Sequence, residues 1–170
     1  MKLDRINMEE LDKKVVSFRR EFHKYAESAW TEYRTTVRII QELRKAGIPY
    51  LYGKAIHTDG KRVSLREPEL DRECMERAIA ETGETDLIHE MAGGYTGAVA
   101  VIDGALSGPT IAIRCDIDSN DLQEDIESED RIPVREGFAS VHPNMMHGCG
   151  HDSHAAIGLG TALILNTYRD

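Results

Sequence analysis

Apolar residues at Met8, Leu11, Val15, Phe18 and Phe22 recur at steps of three and four between charged neighbours. That spacing predicts a helix with one face turned to a core. A second stretch, TEYRTTVRIIQELRKAG, places Tyr33, Val37, Ile40 and Leu43 on one face, with Gly47 set to cap the end and Pro49 forbidding continuation. Residues 50–66 carry a weaker pattern: a short strand around Tyr50–Tyr52, then a surface loop. EPELDRECMERAIAETG (67–83) predicts a third, charged helix, with Pro68 in its first turn and Gly83 at its end.

The period then changes. TGAVAVID (96–103) and TIAIRCDID (110–118) are short, nearly continuous apolar runs separated by GALSGP, the pattern of neighbouring buried strands. The last segment, HDSHAAIGLGTALILNTY, predicts a helix with Ile157, Thr161, Ile164 and Leu165 inward and with Gly158 and Gly160 allowing a close approach to a sheet. Helix, helix, strand, strand, helix is the order of a layered α/β architecture. The connection from 119 to 150 is mostly irregular, which in a compact domain points to a functional loop.

Composition narrows the class. A chain of 170 residues with 41% hydrophobic and 30% charged residues is one globular domain's worth, and no apolar run approaches the 18 residues of a membrane span. The N-terminus has no apolar signal region, so the expected compartment is the cytoplasm. Cys74, Cys115 and Cys149 are too few and odd in number for a disulfide framework, which suits reduced thiols. A net charge of -9 argues against a nucleic-acid partner. All seven lysines lie at or before Lys61, and the six acids of DLQEDIESED (121–130) read as a solvated loop.

Candidate chemistry concentrates in MMHGCGHDSHAA (145–156). Four of the seven histidines, His142, His147, His151 and His154, lie in this neighbourhood with Cys149. In an extended segment His147, Cys149 and His151 would share a face, with side-chain-free Gly148 and Gly150 between them, and imidazole with thiolate suits zinc or its neighbours. Taken singly, a histidine is more often a surface or satisfied core residue and a free cysteine a small hydrophobe. As a cluster they favour a metal. A lone structural zinc on His147, Cys149, His151 and His154 is disfavoured, because four ligands in eight residues are closer than the usual paired spacing. Asp116 and Asp118 end the second apolar run one alternation apart. Such carboxylates can bind a metal, orient a ligating histidine, or simply cap a turn.

FRREFHKYAESAWTEYRTT, RCDIDSND and MMHGCGHDSHAAIGLG, in that order along the chain, resemble the amidohydrolase branch of the dinuclear metallopeptidases, with aminoacylases, hippurate hydrolases and carboxypeptidase G. HKYAES, the charged helix before GGYTG, and REGFAS are similar to the p-aminobenzoyl-glutamate hydrolases of that branch. The resemblance implies a three-layer α/β/α sandwich of the zinc-exopeptidase type, present as the N-terminal part (1–170) of a catalytic domain. It implies a metal-dependent amidohydrolase for N-acyl or aroyl amino acid amides, with p-aminobenzoyl-glutamate the first candidate and two divalent ions, zinc or manganese, in the complete enzyme. By that likeness Cys149 and His151 would be metal ligands and Asp118 would orient one of them. His147, Asp152 and His154 match motif positions in supporting places. A second hydrolase subunit or a second copy is the implied partner. DIDSND stands where the family has a DMDALP-like turn, and members run to more than twice this length, so the fragment is expected to be inactive alone. The competing expectation is a non-catalytic metal-binding or interaction fragment that needs a separately encoded partner.

Overall fold

A computed structural model of the chain describes residues 4–170. Helix α1 spans Met8–Lys24, and Asn7 caps it by accepting the amides of Glu9 and Glu10. Helix α2 follows at Tyr33–Lys45, and strand β1 at Tyr50–Tyr52 leads into a 3₁₀ turn over Gly53–Ile56. Helices α3 (Pro68–Thr82) and α4 (Thr85–His89) come next, and Gly83 between them closes α3 in the left-handed region at φ 73°. Strand β2 (Ala98–Ala100), the short α5 (Ile132–Arg135) and the long α6 (His151–Thr167) complete the chain.

The helical spacings in the first half hold except at the start of the first helix, where Met8 is exposed while Phe18 and Phe22 are buried. Tyr33, Val37 and Ile40 of α2 are fully buried in one core with Cys74 and Ala78 of α3, Leu87 and Ile88 of α4, and Met91. Leu43, one turn further along α2, belongs to a second core with Phe18 and Phe22 of α1 and Ala155, Ala156 and Leu159 of α6. Each fully buried side chain of this kind contributes roughly 1.5–3 kcal/mol. Tyr50 packs against both cores. Glu27 is also fully buried, and its carboxylate accepts the backbone amides of Arg34 and Thr35 in the first turn of α2.

The sheet is smaller than the apolar runs predict. β2 pairs antiparallel with β1, Tyr50 opposite Ala100, and not with residues 110–118. That second run forms no ladder among the described residues. It is anchored where it ends, by a parallel bridge from Ser119 to Ser28, followed by an antiparallel one from Asn120 to Met146. A strand needs a neighbour's amides and carbonyls on at least one edge, and none of the described residues pairs with this one. Ile111 and Ile113 are accordingly 80% and 63% exposed.

The inward face of α6 also departs from the pattern. Ile157 and Leu165 point outward, while Asp152, Ala155, Ala156, Leu159 and Gly160 are buried. α6 packs closely on α1, where a Cβ on Gly160 would stand 2.7 Å from Val15 Cγ2. The close approach at this glycine is therefore to a helix. Small residues win the inward face because the neighbouring helix leaves no room for isoleucine.

Candidate metal centre

Gly150 begins the site. It caps α6 at φ 84° and ψ 16°, a left-handed conformation that glycine adopts without strain, so the chain bends there and helix begins at His151. His151 and His154 then fall three apart on one helical face, with their rings stacked at 5.3 Å between centroids. The 110–118 segment passes directly over this turn. A Cβ on Gly158 would meet Cys115 Sγ at 2.6 Å, so glycine there lets the segment approach and deliver Asp116 and Asp118.

His151 Nδ1 lies 3.0 Å from Asp118 Oδ1 and 3.0 Å from the Asp118 carbonyl oxygen. With two acceptors facing Nδ1, the proton belongs there, and Nε2 keeps its lone pair. Nε2 points toward Asp116 Oδ2 at 3.9 Å, and His154 Nδ1 lies 3.7 Å from the same oxygen. The other Asp116 oxygen is taken by Arg114 at 2.6 Å. Ligand atoms of Asp116, His151 and His154 all fall within 4.8 Å of one another. Separations of 3.7–3.9 Å are too long for hydrogen bonds. They match the roughly 3–4 Å between donors that each sit about 2.1 Å from a shared ion.

A third imidazole of the motif is also uncommitted. His147 is 5% exposed, yet neither ring nitrogen has a protein partner. Burial, only partly opposed by the charge of Asp152, drives its pKa down to about 4 and keeps the imidazole neutral. The converging carboxylate and two imidazoles make a donor set that fits a divalent cation, and His147 lies outside that group.

The expected ligands divide. His151 lies in the converging group and Asp118 stands behind it, in the place of an orienting carboxylate. Cys149 is exposed, and its sulfur lies outside the group. His147, Cys149 and His151 do not share a face, because the left-handed turn at Gly150 breaks the alternation. Asp116 and His154 are the side chains that converge with His151, signalled in the sequence by the Asp116–Asp118 alternation and the i,i+3 histidine pair. His142 lies elsewhere, bonded to the Ala26 carbonyl and to Glu81. The acidic run is not all solvated either: Glu124 is buried against His23 and the Ser140 amide.

A domain of helices and a small sheet thus brings aspartates from the end of an unpaired segment to paired histidines at a helix start, which makes a candidate metal centre. Residues 112–170 match the model of Peptidase family M20/M25/M40. It is 39% identical over 156 residues to the indole-3-acetyl-aspartic acid hydrolase of Enterobacter agglomerans, covering 92% of this chain and 36% of that protein. To a p-aminobenzoyl-glutamate hydrolase subunit of Escherichia coli (strain K12) it is 40% identical over 155 residues, 91% of this chain and 35% of the relative. Among solved structures, an aminobenzoyl-glutamate utilization protein from Klebsiella pneumoniae superposes with a TM-score of 0.75 at 28% identity, over 99% of this chain and 35% of that one. A Bacillus subtilis protein described as a dinuclear metal-binding peptidase of the M20 family gives 0.61 at 28% identity, over 95% and 32%. The fold is thus that of M20 peptidases, and the chain spans about a third of the length of the relatives it matches.

Proposed function

We propose that this chain supplies part of the active site of a metal-dependent amidohydrolase that cleaves an N-acyl or aroyl amino acid amide, with p-aminobenzoyl-glutamate as first candidate. The observation that carries the reading is the convergence of Asp116, His151 and His154 with Asp118 on the far nitrogen of His151. The substrate class rests on the names of the relatives.

Asp116, His151 and His154 would hold a divalent cation, zinc or manganese, while Cys149 stands close in sequence as a further ligand if its loop turns inward. A bound cation of this kind polarises an amide carbonyl and makes water acidic. The chain's own contribution is to keep the proton on His151 Nδ1 through Asp118, to hold one Asp116 oxygen in place through Arg114, and to keep His147 neutral. Two ions need more donors than the three gathered here. We therefore read residues 1–170 as the N-terminal part of a catalytic domain, inactive alone, with remaining ligands and general base from further polypeptide. A second subunit or second copy is the proposed partner, and the cytoplasm the proposed compartment; among the described residues no helix is long and apolar enough to cross a membrane.

One observation favours a second reading, a metal-binding fragment whose role is to pair with another chain. Leu106, Ile111 and Ile113 are 90%, 80% and 63% exposed, an apolar stretch that a partner would cover. Release of p-aminobenzoate from p-aminobenzoyl-glutamate, with zinc or manganese added, separates the two. The chain is assayed alone and extended to the length of its relatives. Release by the extended form only is the expected result. Turnover by the 170 residues alone would overturn the proposed incompleteness. An extended form inert on this amide and on indole-3-acetyl-aspartate would overturn the substrate class.

A further inference from the structure

Beside the candidate centre lies a buried charge cluster that the proposed chemistry does not use. Asp152, the second residue of α6, is fully buried. Its Oδ2 accepts from Arg19 Nε at 2.9 Å and from His23 Nδ1 at 2.8 Å, and its Oδ1 accepts the Ser153 amide. Arg19 and His23 are four apart on α1 and grip the carboxylate together. His23 Nε2 faces Glu124 Oε1 at 3.0 Å, and the other Glu124 oxygen accepts the Ser140 amide. Phe138 completes the grip, edge-on to His23 and under the Arg19 guanidinium.

The first turn of α6 depends on this cluster more than a helix end usually does. Its N-cap is Gly150, which offers no side chain to the free amides of the first turn. Among the described residues, the side-chain hydrogen bonds that tie this turn to the rest of the fold are those of Asp152 and the His151–Asp118 contact. Asp152 is the residue next to His151. A small rotation of the turn would swing His151 Nε2 away from Asp116, and ligand geometry tolerates only a few tenths of an ångström.

We propose that Arg19 and His23 are positioning residues: acting through Asp152, they hold the first turn of α6 so that His151 faces Asp116, and they thereby set the cation affinity of the centre. This rests on the metal-centre reading above. Partners one step behind a ligand typically change metal affinity 10–100-fold, and these act one residue further away, so a loss of about 10-fold is the expected effect.

The test uses the full chain, freed of metal, titrated calorimetrically with Zn²⁺ and with Co²⁺, whose visible spectrum reports ligand geometry. Arg19→Met and His23→Gln should bind about 10-fold more weakly, with an altered Co²⁺ spectrum, and Arg19→Lys should recover most of the affinity. Lys14→Met is the control: it removes another ion pair of α1, to Glu42 at 3.0 Å, and should lower the melting temperature without touching affinity. Arg19 is 37% exposed at its side chain, so its variants test the idea even if His23→Gln does not fold. Wild-type affinity in Arg19→Met, or an equal loss in Lys14→Met, would overturn the inference. If His151→Ala also binds as the wild type does, the metal centre itself falls; if His151→Ala alone loses binding, only the positioning role falls.

Discussion

Two histidine–carboxylate groups flank the first turn of α6, built from the same residue types and opposite in character. Around Asp152 the groups are buried, and each ring nitrogen of His23 and both oxygens of Asp152 have partners at 2.8–3.0 Å. Around Asp116 they are partly open to solvent, and the facing atoms stop at 3.7–3.9 Å. The first arrangement spends its hydrogen-bonding capacity on the fold. The second keeps some in reserve, and reserved donors that converge are what a cation requires. Residue type alone does not separate structure from candidate chemistry; completeness of the hydrogen bonding does.

Substitutions sharpen this contrast. The largest effect should come from Asp152→Ala, which strands a buried imidazole and a guanidinium. It should cost about 3–5 kcal/mol, measured by urea unfolding. His151→Ala should do the reverse, leaving unfolding within about 0.5 kcal/mol of wild type while cation affinity drops by more than about 100-fold in calorimetry. A stability loss in His151→Ala as large as that of Asp152→Ala would erase the distinction between the two groups. Asp118→Ala should weaken binding about 10–100-fold, because His151 loses the acceptor that selects its tautomer. Wild-type affinity in that variant would remove Asp118 from the centre.

The smallest effect is in pH. Burial pulls the His23 pKa down, but the hydrogen bonds and charges of Asp152 and Glu124 outweigh it and raise the pKa above 6.5. A raised folded pKa means that the protonated imidazole stabilises the fold below pH 6.5 and that this contribution is lost as pH rises through the folded value. Unfolding midpoints should therefore decline as pH rises above 6.5 through the raised folded value, and His23→Gln should flatten that decline. A midpoint equally steep in the variant would assign the effect to another group.

The helices of the first half are legible in the sequence because each carries an apolar face at helical spacing, which α2 buries against the nearby α3 and α4 and α1 against the distant α6. Tyr33, Val37, Ile40 and Leu43 are all buried as their spacing predicts. The second apolar run has the pattern of a strand and is not one, because a ladder depends on a partner and β2 pairs with β1 instead. The inward face of α6 is illegible in the sequence since its composition is apolar nearly all round, and only the proximity of Val15 and Cys115 selects glycine and alanine for the tight side. In the site, His151 and Asp118 stand out in their motifs, and Asp116 with His154 takes a larger part than those motifs suggest. Glu124 does not differ in pattern from its five acidic neighbours, because its burial is created by His23, a hundred residues earlier.

The amino-acid order by itself determined which residues are chemically able to bind a metal, and where helices start and stop, because donor atoms and local backbone preferences belong to the residues themselves. Only the tertiary structure decided which donors meet. The turn at Gly150 and the narrow gap over Gly158 bring Asp116 to His151 and leave Cys149 facing solvent. Convergence is a property of three-dimensional distance, and distances between remote segments are set by packing.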